Sequence, residues 1–285
     1  MPNPGTQVIE TYHRLIREKT RKALNVIVII AVAFLVLSIA SLVIDAGRER
    51  LFLTLALVFA GIIPVLGITA LIVNKTFISE KPLYTYLYPK LLEDLQYNED
   101  HIIRYDPYPK ISETIALSKL FYRHASSLTR AGFHFNSKDA LPVKVYDTYS
   151  YTSSSESTNV HFNGYFVVID GVQASPIQVR TKGSPSKSKT LVTRTVNDHR
   201  LKVYCETPDA STHESILACF RVFNERYAPK NLFLSVIGQT MYVAVDLKKP
   251  VRKIRTLNET SYRTLRNQLL LMIETVNEAL TRITG

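Results

Sequence analysis

The sequence predicts an α+β cytosolic domain, mainly an antiparallel sheet with helices, preceded by a two-helix transmembrane hairpin. Three observations predict it. Two long uncharged apolar runs lie within the first 73 residues. From Leu141 onward, apolar residues alternate as they do in strands. Helical spacing then returns twice, each time behind a capping box. Gly 10, Pro 13 and Cys 2 exclude collagen-like, low-complexity and disulfide-scaffold classes.

The expected organisation is a basic cytoplasmic segment over 1–22, a hairpin over 23–78 and the α+β domain over 79–285. Ala23 to Ile44 is 22 positions without a charge, and Leu51 to Val73 is 23 more. About 20 apolar residues cross a hydrocarbon core, so the spacing predicts spans over 23–44 and 51–73. Arg14, Arg17, Lys19, Arg21 and Lys22 precede the first run, and Lys75, Lys81 and Lys90 follow the second. Only Arg48 and Arg50 lie between. The positive-inside rule therefore predicts a multi-pass protein of a bacterial inner membrane with both termini cytoplasmic. Pro64, between Gly61 and Gly67, predicts a kink in the second span. Neither run holds an ionisable residue, which disfavours a transporter.

Beyond the hairpin, a helical stretch is expected from Ser79 to Gln96, broken at Pro89. Ile115, Leu117, Leu120, Phe121 and Leu128 predict a second helix over Ser112–Ala131, stopped by Gly132. Strands are expected at Val143–Asp147, Val160–Asp170, Pro176–Arg180, Leu191–Thr195 and Leu201–Glu206. The Ser-rich stretches 152–158 and 183–189 read as hairpin loops. Ser211 with Glu214 opens a helix to about Tyr227. Asn231–Ile237 and Met241–Asp246 flank Gly238-Gln239 as a hairpin. Thr256 with Glu259 opens the last helix, where Tyr262, Leu265, Leu269, Met272, Val276, Ala279 and Ile283 form a stripe. Leu270, Ile273 and Leu280 widen that stripe, favouring packing in a core over a coiled-coil seam. Cys205 on a strand and Cys219 on a helix read as buried structural thiols.

Several pieces in order carry a resemblance. They are Tyr105-Asp-Pro107, Ser118-Lys-Leu-Phe121, His161-Phe-Asn-Gly-Tyr-Phe166, the run Lys202 to Ala210, and Leu234 to Val245. With the two N-terminal spans, this resembles the bacterial membrane proteins carrying domain of unknown function 3137, over roughly 85–250 plus the hairpin. The stretch 132–142 departs from that pattern, which tends to show an Asp and a Gly after an acidic turn. The resemblance implies an architecture and no activity.

Motifs for catalysis are absent from the sequence. There is no G-x-G-x-x-G, Walker A, G-x-S-x-G, H-E-x-x-H or C-x-x-C, so no cofactor, metal or catalytic residue is assigned. His161, beside Asn163, reads as a half-exposed strand histidine, and Asp170-Gly171 reads as a turn. Charge is more informative. Lys248, Lys249, Arg252, Lys253 and Arg255 place five basic residues in eight. Arg180, Lys182, Lys187, Lys189, Arg194, Arg200 and Lys202 form a second set. Near an anionic leaflet each such cation contributes about 1 kcal/mol, so Lys248, Lys249, Arg252, Lys253, Arg255, Lys187 and Lys189 are the candidate membrane-surface or anion-binding residues. The expected partners are the lipid bilayer, anionic lipid headgroups, a further copy of the chain, and a protein that the sequence does not identify. Nucleic acid ranks lower, since no RNP-like aromatic motif accompanies the charges. The expected function is a membrane-anchored, non-enzymatic interaction or scaffolding protein. The alternative is a ligand-gated oligomeric effector whose domain senses a small molecule and rearranges the hairpin.

Overall fold

The computed structural model describes residues 4–44, 80–96, 104–106, 109–121, 126–137, 141–153, 157–183, 192–195, 201–205, 210–248 and 258–284. The chain forms two compact units. One holds Met1–Tyr86 with Arg255–Glu259, and the other holds Leu87–Ile254 with Thr260–Gly285.

In the first unit, helix α1 runs unbroken over Pro4–Ile44. The apolar run 23–44 is thus no separate element. It is the second half of a helix whose first half carries Glu10, Arg14, Arg17, Glu18, Arg21 and Lys22. Leu24, Val26, Val28, Ile29, Val32 and Val36 are exposed on it. Among the described residues no helix is long and apolar enough to cross a membrane. That corrects the expected transmembrane hairpin, and with it the placement as a multi-pass inner-membrane protein. The second expected span, 51–73, and its Pro64 lie outside the described residues.

The second unit is α+β. Among the described residues nine strands form one sheet, β1 (Arg104–Asp106), β2 (Ser126–Asn136), β3 (Pro142–Ser153), β4 (Thr158–Asp170), β5 (Ile177–Arg180), β6 (Val192–Thr195), β7 (Lys202–Cys205), β8 (Asn231–Ile237) and β9 (Thr240–Asp246). Their order is β1-β2-β3-β4-β9-β8-β5-β7-β6, and every pairing is antiparallel. The hairpin expected around Gly238 is β8–β9, with Ile237 opposite Thr240 and Gly238 at φ 62°. Helix α2 (Glu80–Gln96) passes through Pro89 without the expected break.

The sharpest departure is at 112–131. Helix α3 covers only Ser112–Leu117, and residues 126–131 of the expected helix belong to β2. Ser118 Oγ donates to the Ile115 carbonyl at 2.6 Å, and Lys119 turns to a φ of 51°. A non-glycine residue in that left-handed region ends a helix. Three successive carbonyls of the turn are then taken by side chains from the sheet. Ser235 Oγ donates to Ser118 O at 2.7 Å, Gln178 Nε2 to Lys119 O at 3.4 Å, and Arg180 Nη2 to Leu120 O. These side chains are buried, and each leaves fewer orphaned polar groups beneath the turn.

Apolar side chains fill both faces of the sheet. On one, Ile111, Ile115, Leu120 and Phe121 cover Tyr146, Phe162, Phe166, Phe233, Tyr242 and Ala244. Fully burying a Phe contributes roughly 1.5–3 kcal/mol, so the four phenylalanines of this cluster weigh heavily in the fold. The helices α4 (Ala210–Tyr227) and α5 (Glu259–Thr284) carry the remaining core. Helix α4 lies against β5 and β8, and Cys219 Sγ is 4.0 Å from Met241 Sδ on β9. Both cysteines are free and buried, as expected. The α5 stripe from Tyr262 to Ala279 is buried together with Ile273 and Leu280, which is the packing arrangement. Arg226–Glu278 ties α5 to α4 at 2.9 Å, and Arg266–Asp94 ties it to α2 at 2.8 Å.

A candidate anion-binding cleft at the sheet rim

Strands β4, β9, β8 and β5 are neighbours, and three of them begin or end at one rim. β9 ends at Asp246, β8 begins at Asn231 opposite it, and β5 ends at Arg180 opposite Phe233. β4 pairs with β9 only as far as Gly164 and then continues outward to Thr158. This uneven rim leaves a cleft of about 560 Å³, floored by Leu120, Phe121, Phe162 and Phe233.

Gly164 makes the junction. A Cβ there would sit 2.1 Å from the backbone oxygen of Val245, so only glycine lets β9 close against β4. This explains the glycine of the Phe162-x-Gly-x-Phe166 pattern. One step out, Leu247 N–H donates to the Asn163 carbonyl at 3.1 Å. The β3–β4 register then slips. Ser150 faces Phe162 and Tyr151 faces Val160, which leaves His161 as an extra residue on β4. Bulges of this kind re-aim side chains. His161 and Phe162 both line the cleft, and His161 Nε2 lies 3.1 Å from Thr152 Oγ1. Burial holds the His161 pKa below the usual histidine range, so the ring is neutral near pH 7.

The charge is lopsided. Arg180, Lys182, Lys230 and Lys248 line the cleft against the single carboxylate of Asp246. Arg180 is buried, with its guanidinium carbon 5.2 Å from the centroid of the Phe233 ring. That is cation–π distance, and it fixes a planar cation at the base of the cleft. Gly183, at φ 80°, wraps over it, and a Cβ at that position would meet Arg180 Nη1 at 3.5 Å. Thr181 locks the strand end by donating N–H to Leu232 O at 3.1 Å and accepting Leu232 N–H on Oγ1 at 2.9 Å. The three lysines are exposed around the mouth.

Asp246 is held rather than free. Its Oδ1 accepts Asn163 N–H at 3.1 Å, and its Oδ2 accepts Asn231 Nδ2–H at 2.7 Å. Asn163 Oδ1 in turn accepts from Arg130 Nη2 at 3.1 Å. Arg130 Nη1 pairs with Asp147 at 2.6 Å, and Tyr88 OH donates to the other oxygen of Asp147 at 3.3 Å. A continuous polar chain thus runs from the cleft to a buried ion pair and on to α2.

Of the basic residues singled out in the sequence, Lys248 lies in the cleft, and Arg180 and Lys182 of the second set join it there. Lys249, Arg252, Lys253, Arg255, Lys187 and Lys189 lie outside the described residues. Lys202 sits on β7 opposite Arg180, away from the cleft lining. Asp170 is the last residue of β4, with the expected turn beginning at Gly171, and it is bound by Lys144 at 3.0 Å and by Thr240. Lys230, Asn231 and Asp246 were missed as site residues. Counting outward from Gly238-Gln239 pairs Asn231 with Asp246, so the hairpin register was the signal that could have found them. Among the described residues no group of three His, Cys, Asp or Glu is placed to hold a metal. No family model matches the chain, and neither a curated protein nor a solved structure does.

Proposed function

We propose that this chain is a non-enzymatic binding module whose α+β unit captures an anionic ligand in the rim cleft. The single observation that carries the reading is the convergence of Arg180, Lys182, Lys230 and Lys248 on one concave site with one carboxylate. These cations come from the ends of β5, β8 and β9, with Arg180 and Lys182 well separated in sequence from Lys230 and Lys248, so their meeting is a product of the fold. A cleft of this volume falls in the usual small-molecule range of about 300–1,000 Å³.

Titration of the full chain with pyrophosphate, a compact polyanion, tests it. Wild type is expected to bind in a salt-sensitive way, and Lys182→Glu/Lys230→Glu to lose at least about tenfold in affinity. Equal binding by wild type and the double variant would sink the reading. Arg282→Glu, on α5 outside the cleft lining, serves as the charge control.

A second reading is favoured by the bonds through Asn163. A ligand that draws on Asp246 or Asn231 perturbs Asn163, and through it Arg130, Asp147 and Tyr88. The module would then sense its ligand and not only hold it. Tyr88→Phe is expected to leave affinity within about twofold while abolishing any ligand-induced protection of α2 amides in hydrogen exchange. Unaltered protection in that variant would reject the relay.

A further inference from the structure

Resting on the anion-binding reading, we infer that the ligand is a small phosphate monoester with a polyhydroxylated, sugar-like body. Three features of the cleft select it from other anions.

Charge comes first. Four cations and one carboxylate leave an excess that a single carboxylate does not match. A phosphate monoester brings about −1.5 to −2 charges at neutral pH, with three strong acceptor oxygens. Arg180 supplies a fixed cation at the base of the cleft, its Nη2 already on the Leu120 carbonyl, and the exposed lysines supply point charges around it.

The second feature is the hydrogen-bonding part of the lining. Asn159, Asn163, Asn231 and Asp246 are hydrogen-bonding groups set beside the cations. Asn231 gives one Nδ2 hydrogen to Asp246 and retains the other Nδ2 hydrogen and the Oδ1 acceptor in its bonding inventory. Such groups read hydroxyls. The aromatic rings, in contrast, offer little face. Phe121 and Phe233 are 7% exposed and Phe162 is 1% exposed, and the Arg180 guanidinium already lies over Phe233. A nucleobase would find no open phenylalanine ring on which to stack, and the His161 imidazole is half-buried with its Nε2 at Thr152 Oγ1.

Thirdly, the rim disfavours extended anions. The outer part of β4 carries the His161 bulge, and bulges and nearby lysines are features that block strand addition at an edge. A buried Asp246 also opposes a ligand that is anionic along its whole length. An acidic peptide, a nucleic acid strand or a lipid surface fits this site less well than a compact ester.

Calorimetric titration of the full chain with ribose 5-phosphate tests the inference, with inorganic phosphate, ribose, AMP, hexaglutamate and phosphatidylglycerol vesicles as comparators. Ribose 5-phosphate is expected to bind at least about tenfold tighter than inorganic phosphate, with ribose not binding and AMP no tighter. Lys182→Glu/Lys230→Glu should abolish binding, and Asn231→Ala should narrow the gap between ester and phosphate. Equal affinity for ribose 5-phosphate and inorganic phosphate would overturn the sugar-like body and leave the anion reading standing. Tighter, lysine-dependent binding of AMP, hexaglutamate or the vesicles would overturn it in favour of that class. If none of these and no pyrophosphate binds, both the inference and the reading beneath it fall.

Discussion

The Arg180 guanidinium lies 5.2 Å from the Phe233 ring centroid, on the strand paired directly with its own. The same side chain donates to the Leu120 carbonyl, so one residue joins β5, β8 and the turn after α3. Arg180→Lys keeps the charge but loses the planar fork. It is expected to destabilise the chain by about 1–3 kcal/mol, because Leu120 O is left unpaired beneath the turn. Urea unfolding of the two proteins measures this.

Gly164→Ala is expected to cost at least about 2 kcal/mol, since its Cβ would press on the Val245 backbone oxygen, which cannot swing away as a side chain can. Gly238→Ala meets no atom within 4 Å and pays only for its positive φ, about 1–2 kcal/mol. Comparing the two unfolding midpoints separates crowding from backbone strain.

Arg130 and Asp147 form an ion pair with side-chain exposures of 16% and 3%. Removing one partner from a buried pair typically costs about 3–5 kcal/mol, because the other charge is left uncompensated. Arg130→Met should therefore fall near the low end of that range, given the partial exposure. Arg130→Met/Asp147→Leu should recover part of the loss. A double variant no more stable than the single would contradict this account of the pair.

Stability should decline on acidification through the histidine range. Burial lowers the pKa of both His134 and His161 in the fold, so below about pH 6.5 the unfolded chain binds more protons than the native one. Their contribution is complete above the unfolded value and is lost as pH falls toward the folded ones. Urea midpoints measured from about pH 7.5 to pH 5 should drop, and His134→Gln/His161→Gln should flatten the profile.

Burial pushes the Cys219 thiol up to about 12, and Cys205 is buried too. Neither should react with a thiol reagent at neutral pH until the chain unfolds. Rapid labelling of the native protein would contradict the packing of α4 on the sheet.

Much of the second unit was legible because its signals are local. The Gly238-Gln239 turn fixed the β8–β9 register, and the α5 stripe distinguished a packed helix from a coiled-coil seam. The region 112–131 was not. Its apolar spacing fits a helix, but the turn at 118–120 ends the helix early, its carbonyls bonded by Ser235, Gln178 and Arg180, up to 117 residues away. Tertiary bonds overrode the period. The apolar run 23–44 misled in another way, since its composition does not show that it continues the charged helix before it. Three of the four cations of the cleft were visible as basic residues at 180, 182 and 248. Lys230, Asn163, Asn231 and Asp246 gain meaning only when three strand ends meet beside β4.

The most direct test is amide-resolved NMR of the full chain during titration with pyrophosphate. The account predicts shifts concentrated at Asn163, Lys182, Gly183, Lys230, Asn231 and Leu247, saturating together and absent in Lys182→Glu/Lys230→Glu. Shifts that never saturate, or that gather away from these residues, would contradict the cleft as the binding site.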